Sequence, residues 1–457
     1  MSPQAAPPAL PRPDVTPPGA YTFPPPTRHT LANGLTVVAY DLPGQYVYAV
    51  RLAVPLPLRL EPPEIEGVAA LMARTLDEGT EQCSSAQFVR LLERRGVAYA
   101  AGMSDSGLGV EVDVAKGNLG YALDLLRQTL TEPAFPQDQV ERHVKVRLAE
   151  IEQERSVAAQ RAALEFSATY FDPSTRSARP TGGTADTVGA VTREDVVGFH
   201  ARHVAPAEAT LVVAGDQVGL DVFGEVEQAL GTWRTPTEFV APGPWQPVPV
   251  AAHRARVVVV DRPGSVQTEI LVGCPGPDRH VEGGWAPYPV LGFVVGGSPT
   301  ARVDAVLREE KGYTYGIRSG FRPRRKGGLF LTSGSVRADV TVESVDLLID
   351  ILDTARDGFT PEETRRGADF IAKTAPGRYA TADAIADEAA GLVYDGLTTE
   401  FTTALNAEIR AMDHDRLGTA YRRFVDGQWT VVLVGDAGRF VDGVRGLGRG
   451  EVTVVPN

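Results

Sequence analysis

The chain has 457 residues, 43% of them hydrophobic and 23% charged, with a formal net charge of −13. That length exceeds what a single core usually supports and implies two or more domains. Without an apolar run of 18 residues or a basic stripe, the sequence argues against a membrane span and a nucleic-acid partner, while its acidity is compatible with a cationic ligand.

The first thirty residues hold ten prolines and lack a basic start followed by an apolar run. They do not read as a secretory signal, and residues 1–28 are expected to form an extended arm that orders only on docking. Cys83 and Cys274 are too few for a disulfide framework, so reduced thiols and a cytoplasmic location are expected.

Downstream, "GLTVVAYD", "YVYAVRLAV" and "GLGVEVDVA" predict strands. "GYALDLLRQTL" and residues 137–166 predict helices. "EGVAALMARTLDEGT", residues 66–80, predicts a helix that enters at a glycine, leaves at Gly-Thr and turns Leu71, Met72 and Leu76 inward.

The chain then reads a second time. "TLVVAGD" at 210–216 recurs as "TVVLVGD" at 430–436, each preceded by a helical segment, "REDVVGFHARHV" and "HDRLGTAYRRFV". "ERRGVAYAAG" matches "EEKGYTYGIRSG", placing Gly96 opposite Gly312 and Tyr99 opposite Tyr315. "AFPQDQVERHVKVRLAEI" resembles "GFTPEETRRGADFIAKT". Ordered matches at a nearly constant spacing imply a duplicated unit. The expected division is 29–235 and 251–457, joined by the proline-rich linker 236–250. The intermixed strands and long helices predict an α+β fold of two tandem homologous domains, each a mainly antiparallel sheet with helices on one face.

The motifs "LANGLTVVAYDLPG", "LLERRGVAYAAGMSDSG" and "GGSPTARVDAVLREEKGYTYG" resemble those of the M16 metallopeptidases, the pitrilysin and mitochondrial-processing-peptidase family. The resemblance covers nearly everything after residue 28. Active members carry His-x-x-Glu-His on the helix that ends at Gly-Thr. Residues four apart share a helix face, so two imidazoles can hold one Zn²⁺ while the glutamate works on its bound water. Laid on that pattern, the first histidine position is Ala70, the glutamate position Ala73 and the second histidine position Arg74. A guanidinium does not lose its proton and repels the metal. The family's third ligand falls on Glu150, which without histidines reads as a solvated or paired helix acid. Elsewhere only "HARH", His200 and His203, offers histidines at helical spacing, read as a packed helix face rather than a metal pair.

The resemblance also implies what the second half keeps. The family's Arg and Tyr, here Arg308 and Tyr315, contact substrate near the scissile bond and donate to the developing oxyanion. The first-half counterparts are Leu92 and Tyr99, so the pair is complete only once. The glycine-rich stretch Gly296, Gly297 and Ser298 is a candidate substrate contact. The expectation is a non-catalytic subunit of a heterodimeric zinc peptidase. It would hold no metal itself, close half of a peptide chamber, and work with a catalytic partner that carries His-x-x-Glu-His and the zinc. The alternatives are a scaffold subunit, or a module that binds peptides at a sheet edge without chemistry.

Overall fold

A computed structural model describes residues 16–253 and 255–457. The first sheet contains β1 (Thr27–Thr30), β2 (Thr36–Asp41), β3 (Val47–Pro55), β4 (Ala98–Ser104), β5 (Gly107–Ala115) and β6 (Thr210–Gly215). Their order across the sheet is β1-β2-β6-β3-β5-β4. The second contains β7 (Arg256–Asp261), β8 (Gln267–Gly276), β9 (Ile317–Pro323), β10 (Gly328–Arg337), β11 (Thr430–Gly435) and β12 (Glu451–Pro456), in the order β9-β10-β8-β11-β7-β12.

The duplication is visible in the register. β2 runs parallel to β6 with Thr36 opposite Thr210, and β7 runs parallel to β11 with Arg256 opposite Thr430. The next three strands are antiparallel in both sheets. Only the edges differ: β1 folds back on β2 from the N-terminal side, whereas β12 adds in parallel to β7 from the C-terminal side. The repeated Gly-Asp has a repeated task. Asp216 accepts the N–H of Gly44 at 2.7 Å, and Asp436 accepts the N–H of Gly264 at 3.1 Å. Each aspartate thus clamps the turn between the first two inner strands of its own half. The helices Arg193–His203 and His414–Phe424 that feed β6 and β11 start at capping residues, Thr192 accepting from Asp195 N–H and Asp413 from Arg416 N–H.

One face of the first sheet carries helices of its own half, including α1 (Val68–Thr75) and α2 (Gln137–Ser156). The helical pattern expected across 137–166 breaks at Val157, whose backbone is extended (φ −94°, ψ 112°). The chain resumes as α3 (Ala158–Tyr170) and crosses to the second sheet. There Ala162, Phe166 and Tyr170 pack with Val258, Val260, Leu271, Val432 and Val434. The second half repeats the manoeuvre with α4 (Pro361–Arg378) and α5 (Ala382–Tyr394). Ala382, Ile385, Ala386 and Ala389 of α5 pack with Val38, Tyr40, Ala49, Val212 and Ala214 of the first sheet. Each sheet therefore has its own helices on one face and a helix of the opposite half on the other. The unbroken apolar runs of the inner strands fit this, because alternate residues such as Val257 and Val258 both need cover.

Arg51 ties the exchange electrostatically, reaching Asp113 at 2.8 Å on its own sheet and Asp387 at 2.6 Å on α5. The proline-rich arm is docked where described: Phe23 is 2% exposed within the α5 interface, its N–H donating to Thr403 Oγ1 at 3.1 Å. The expectation for residues 1–15 lies outside the described residues. Cys83 sits in the first half and Cys274 in the core of the second. Among the described residues no helix is long and apolar enough to cross a membrane.

Candidate functional site: a filled metal position facing a cleft

Helix α1 starts at Gly67, whose φ of +101° favours glycine, and a Cβ there would meet the Gly182 carbonyl oxygen at 2.8 Å. The buried Glu61 carboxylate accepts the N–H groups of Gly67 and Ala69 at 2.9 and 3.0 Å, and pairs with Arg176 at 2.7 Å. Burial nevertheless pushes the Glu61 carboxyl above its ordinary range. The helix is almost wholly buried, with Leu71, Met72 and Ala73 at 1% exposure or less. Ala70 and Arg74 alone are partly open within its span. These two positions, one turn apart, face a cleft of about 600 Å³. The fold thus opens to solvent the same pair of positions where the family resemblance expects histidines.

The cleft is lined by charge. Arg74 grips Glu150 at two points, both at 2.9 Å. The Arg74 guanidinium holds the Glu150 carboxyl below its ordinary range. Arg147 joins from α2, at 3.3 Å from Glu150 and 2.5 Å from Glu154, and donates its Nε–H to the Gly182 carbonyl at 3.0 Å. Gly182 is needed for this: a Cβ there would lie 2.6 Å from the Arg147 Nε. The second-histidine position, Arg74, and the third-ligand position, Glu150, thus meet in space, but as a guanidinium–carboxylate pair. A divalent cation would have to displace Arg74 to reach Glu150, so the residues present do not fit zinc. Among the described residues, no group of three or more His, Cys, Asp or Glu side chains converges to hold a metal ion.

His200 and His203 pack against aromatic rings, His200 edge-on to Phe135 at 5.4 Å and His203 against Phe199 at 4.6 Å. Burial pulls the His200 imidazole down to about 4, only partly offset by a hydrogen bond to the Leu130 backbone. The unfolded chain therefore binds a proton that the folded chain refuses. The resulting stability is fully present above the ordinary value of 6.5 and is lost as pH falls from there through about 4. A shift of this size corresponds to at most about 3 kcal/mol. Urea unfolding between neutral pH and about pH 4.5 should show this decline, and His200→Leu should flatten it. Equal slopes for the two chains would remove His200 as the cause.

The second-half residues lie elsewhere. Helix Pro287–Gly296 ends against β9, where a Cβ on Gly296 would lie 2.5 Å from Ser319 Oγ, so this glycine serves close packing. Gly297 follows at the surface, and Ser298 is buried with its Oγ 3.4 Å from Thr300 Oγ1. Arg308 sits in a wide helical turn, Ala305–Glu310, 3.4 Å from the Glu309 carboxylate. Gly312 (φ +66°) ends that turn as Gly96 (φ +60°) ends the equivalent helix. Beyond them the halves diverge. Tyr99 turns inward and donates to Thr129 Oγ1 at 3.0 Å, whereas Tyr315 is 94% exposed. Leu92 is buried in the first core. Neither Arg308 nor Tyr315 lines the cleft at α1.

The second-half residue that does reach this cleft is Arg324, paired with Asp105 at 2.5 Å and with Ser177 Oγ at 2.9 Å. Sequence reasoning missed this contact. The available signal was the repeat itself, which sets the acidic β4–β5 turn "SDSG" opposite the basic β9–β10 turn "PRRKG".

A family model for insulinase (peptidase family M16) matches residues 36–178, and one described as the peptidase M16 inactive domain matches residues 190–369. The chain belongs to the M16 peptidase family. An uncharacterized zinc protease of Streptomyces coelicolor is 25% identical over 345 residues, 74% of each chain. A non-peptidase homolog of Helicobacter pylori is 24% identical over 355 residues, 76% of this chain and 79% of that one. Among solved structures, the peptidase M16 inactive domain from Pseudomonas fluorescens superimposes with a TM-score of 0.82 at 20% identity, covering 90% of this chain and 98% of that one. A chain of complex III2 from Candida albicans gives 0.76 at 14% identity, covering 93% and 99%. These likenesses establish the fold. The match to the inactive-domain model and the likeness to a relative named a non-peptidase homolog support a non-catalytic member of the M16 family.

Proposed function

We propose that this chain is the non-catalytic subunit of a heterodimeric M16 zinc peptidase. It forms one wall of a peptide chamber and presents Arg308 and Tyr315 to a partner that carries His-x-x-Glu-His. The observation that carries the reading is a contrast within one molecule. The metal position is closed by the Arg74–Glu150 pair, while Tyr315 stands almost fully exposed with no hydrogen bond to the described residues. A solvent-exposed phenol has no structural task in the isolated chain, and its O–H is the right donor for an oxyanion formed on a neighbouring subunit. Zinc in the partner would supply the activated water.

The test is purification with and without the partner. The isolated chain should carry well under one zinc per molecule by metal analysis and cleave no peptide, and its addition should raise the partner's rate of peptide cleavage. Stoichiometric zinc in the isolated chain, or a partner rate indifferent to its presence, would overturn the proposal.

A further inference from the structure

A second cleft, of about 660 Å³, lies where the linker passes over the junction of the two halves. Its roof is the proline-rich segment 242–249 with Trp245, and its floor comes from the first-half loops near Pro57 and Ser174 and from the basic β9–β10 turn. Among the described residues three carboxylates line it and each is already engaged. Glu61 pairs with Arg176, Glu66 with Arg179 at 2.6 Å, and Asp105 with Arg324 at 2.5 Å.

Among the described residues three further cations line it. Arg59 donates only to the carbonyl oxygens of Pro242 and Pro244. Arg325 donates to the carbonyls of Tyr394 (3.1 Å) and Val393 (3.5 Å) and lies over the Trp245 ring at 5.0 Å. Lys326 is exposed at the tip of the turn. Among the described residues none of the three has a carboxylate within ion-pair reach. Asp395 and Glu208 act on Arg325 only from a distance, and Asp395 is held by Arg279 at 3.0 Å. A half-buried guanidinium with no carboxylate in contact is a costly arrangement, and here it adjoins an indole and several prolines on a chain of net charge −13. Charges beyond about 8 Å are screened at physiological ionic strength, so the local surplus governs what binds.

We propose that this cleft binds an acidic segment of a peptide, its carboxylates meeting Arg59, Arg325 and Lys326 and its apolar side chains lying against Trp245 and the linker prolines. A peptide is favoured over a small anion by continuity. Asp105, Ser177, Arg179 and Arg324 line both this cleft and the one at α1, so an extended chain can run from one into the other. The inference rests on reading this chain as a peptide-binding half, and it names acidic peptides as the class that half accepts.

The probe is acetyl-Glu-Leu-Glu-Leu-Glu-amide, with its Gln-substituted isostere as control, titrated by calorimetry into the isolated full-length chain. The acidic peptide should bind at least about tenfold more tightly than the isostere, and added salt should erode the difference. Lys326→Glu, at an exposed turn, should weaken the acidic peptide about tenfold and leave the isostere unchanged, and Arg325→Gln should act in the same direction. The comparison between the two peptides on the unsubstituted chain stands even if a variant folds poorly. Equal affinity for both peptides, no binding of the acidic one, or indifference to both substitutions would overturn the assignment. Because binding is read without the partner and without cleavage, its failure is separable from failure of the heterodimer reading.

Discussion

Replacing Tyr315 with phenylalanine is expected to lower peptide cleavage by the two-subunit complex between about a hundred- and a thousandfold, the range for losing one oxyanion donor. The side chain is 94% exposed, so the substitution removes one hydroxyl without touching either core. A change at such a position normally moves stability by no more than about 0.5 kcal/mol, and subunit association should survive it. The loss should appear in kcat, because a donor that meets charge only in the transition state contributes little to ground-state binding. The first-half equivalent provides an internal control. Tyr99→Phe deletes the same atom from a half-buried phenol that donates to Thr129, and it should cost stability but leave kcat alone. If Tyr315→Phe leaves the rate untouched, or if Tyr99→Phe lowers kcat equally, the phenol at 315 is not the oxyanion donor.

Much of the framework was legible because the residues that build it carry local signals. β-branched runs closed by Gly-Asp mark β6 and β11, and the strand expected at 107–115 is observed with those bounds. The family pattern, laid on residues 66–80, located the two helix positions that the fold opens to the cleft. What stayed hidden were contacts with no local signature. Val157 is neither glycine nor proline, so nothing in its neighbourhood announced that the helical pattern breaks there and that α3 leaves for the other sheet. By sequence, Glu150 reads as a helix acid, solvated or paired. That its partner is Arg74, the residue standing in a ligand position, follows from the packing of α1 on α2, which brings together residues 76 apart. The linker cleft depends on the turn 323–328 of one half meeting loops of the other, a geometry that neither segment encodes alone.

The crossing of α3 leads to the largest expected effect on stability. Phe166 is 4% exposed, stacks on Tyr170 with ring centroids 5.3 Å apart, and reaches so close to β8 that a Cβ on Gly273 would lie 2.5 Å from its Cζ. The glycine in the middle of that strand is thus explained by an aromatic ring supplied from the opposite half. Phe166→Ala should cost about 3–5 kcal/mol, the usual range for emptying a buried aromatic site. The cavity would open at the seam between the halves rather than inside either main core, so it should weaken their coupling more than their individual packing. Calorimetry should then resolve two transitions in Phe166→Ala where the unsubstituted chain unfolds cooperatively, with the first shifted down by several degrees. Ile385→Ala on α5 should act in the same direction more weakly, because the neighbours of Ile385 in that interface include the small side chains Ala382, Ala386 and Ala389 and an aliphatic truncation removes less contact. A single transition at an unchanged temperature in Phe166→Ala would mean that the exchanged helix rests on the second sheet without holding the halves together, and that the coupling resides instead in polar ties such as Arg51–Asp387.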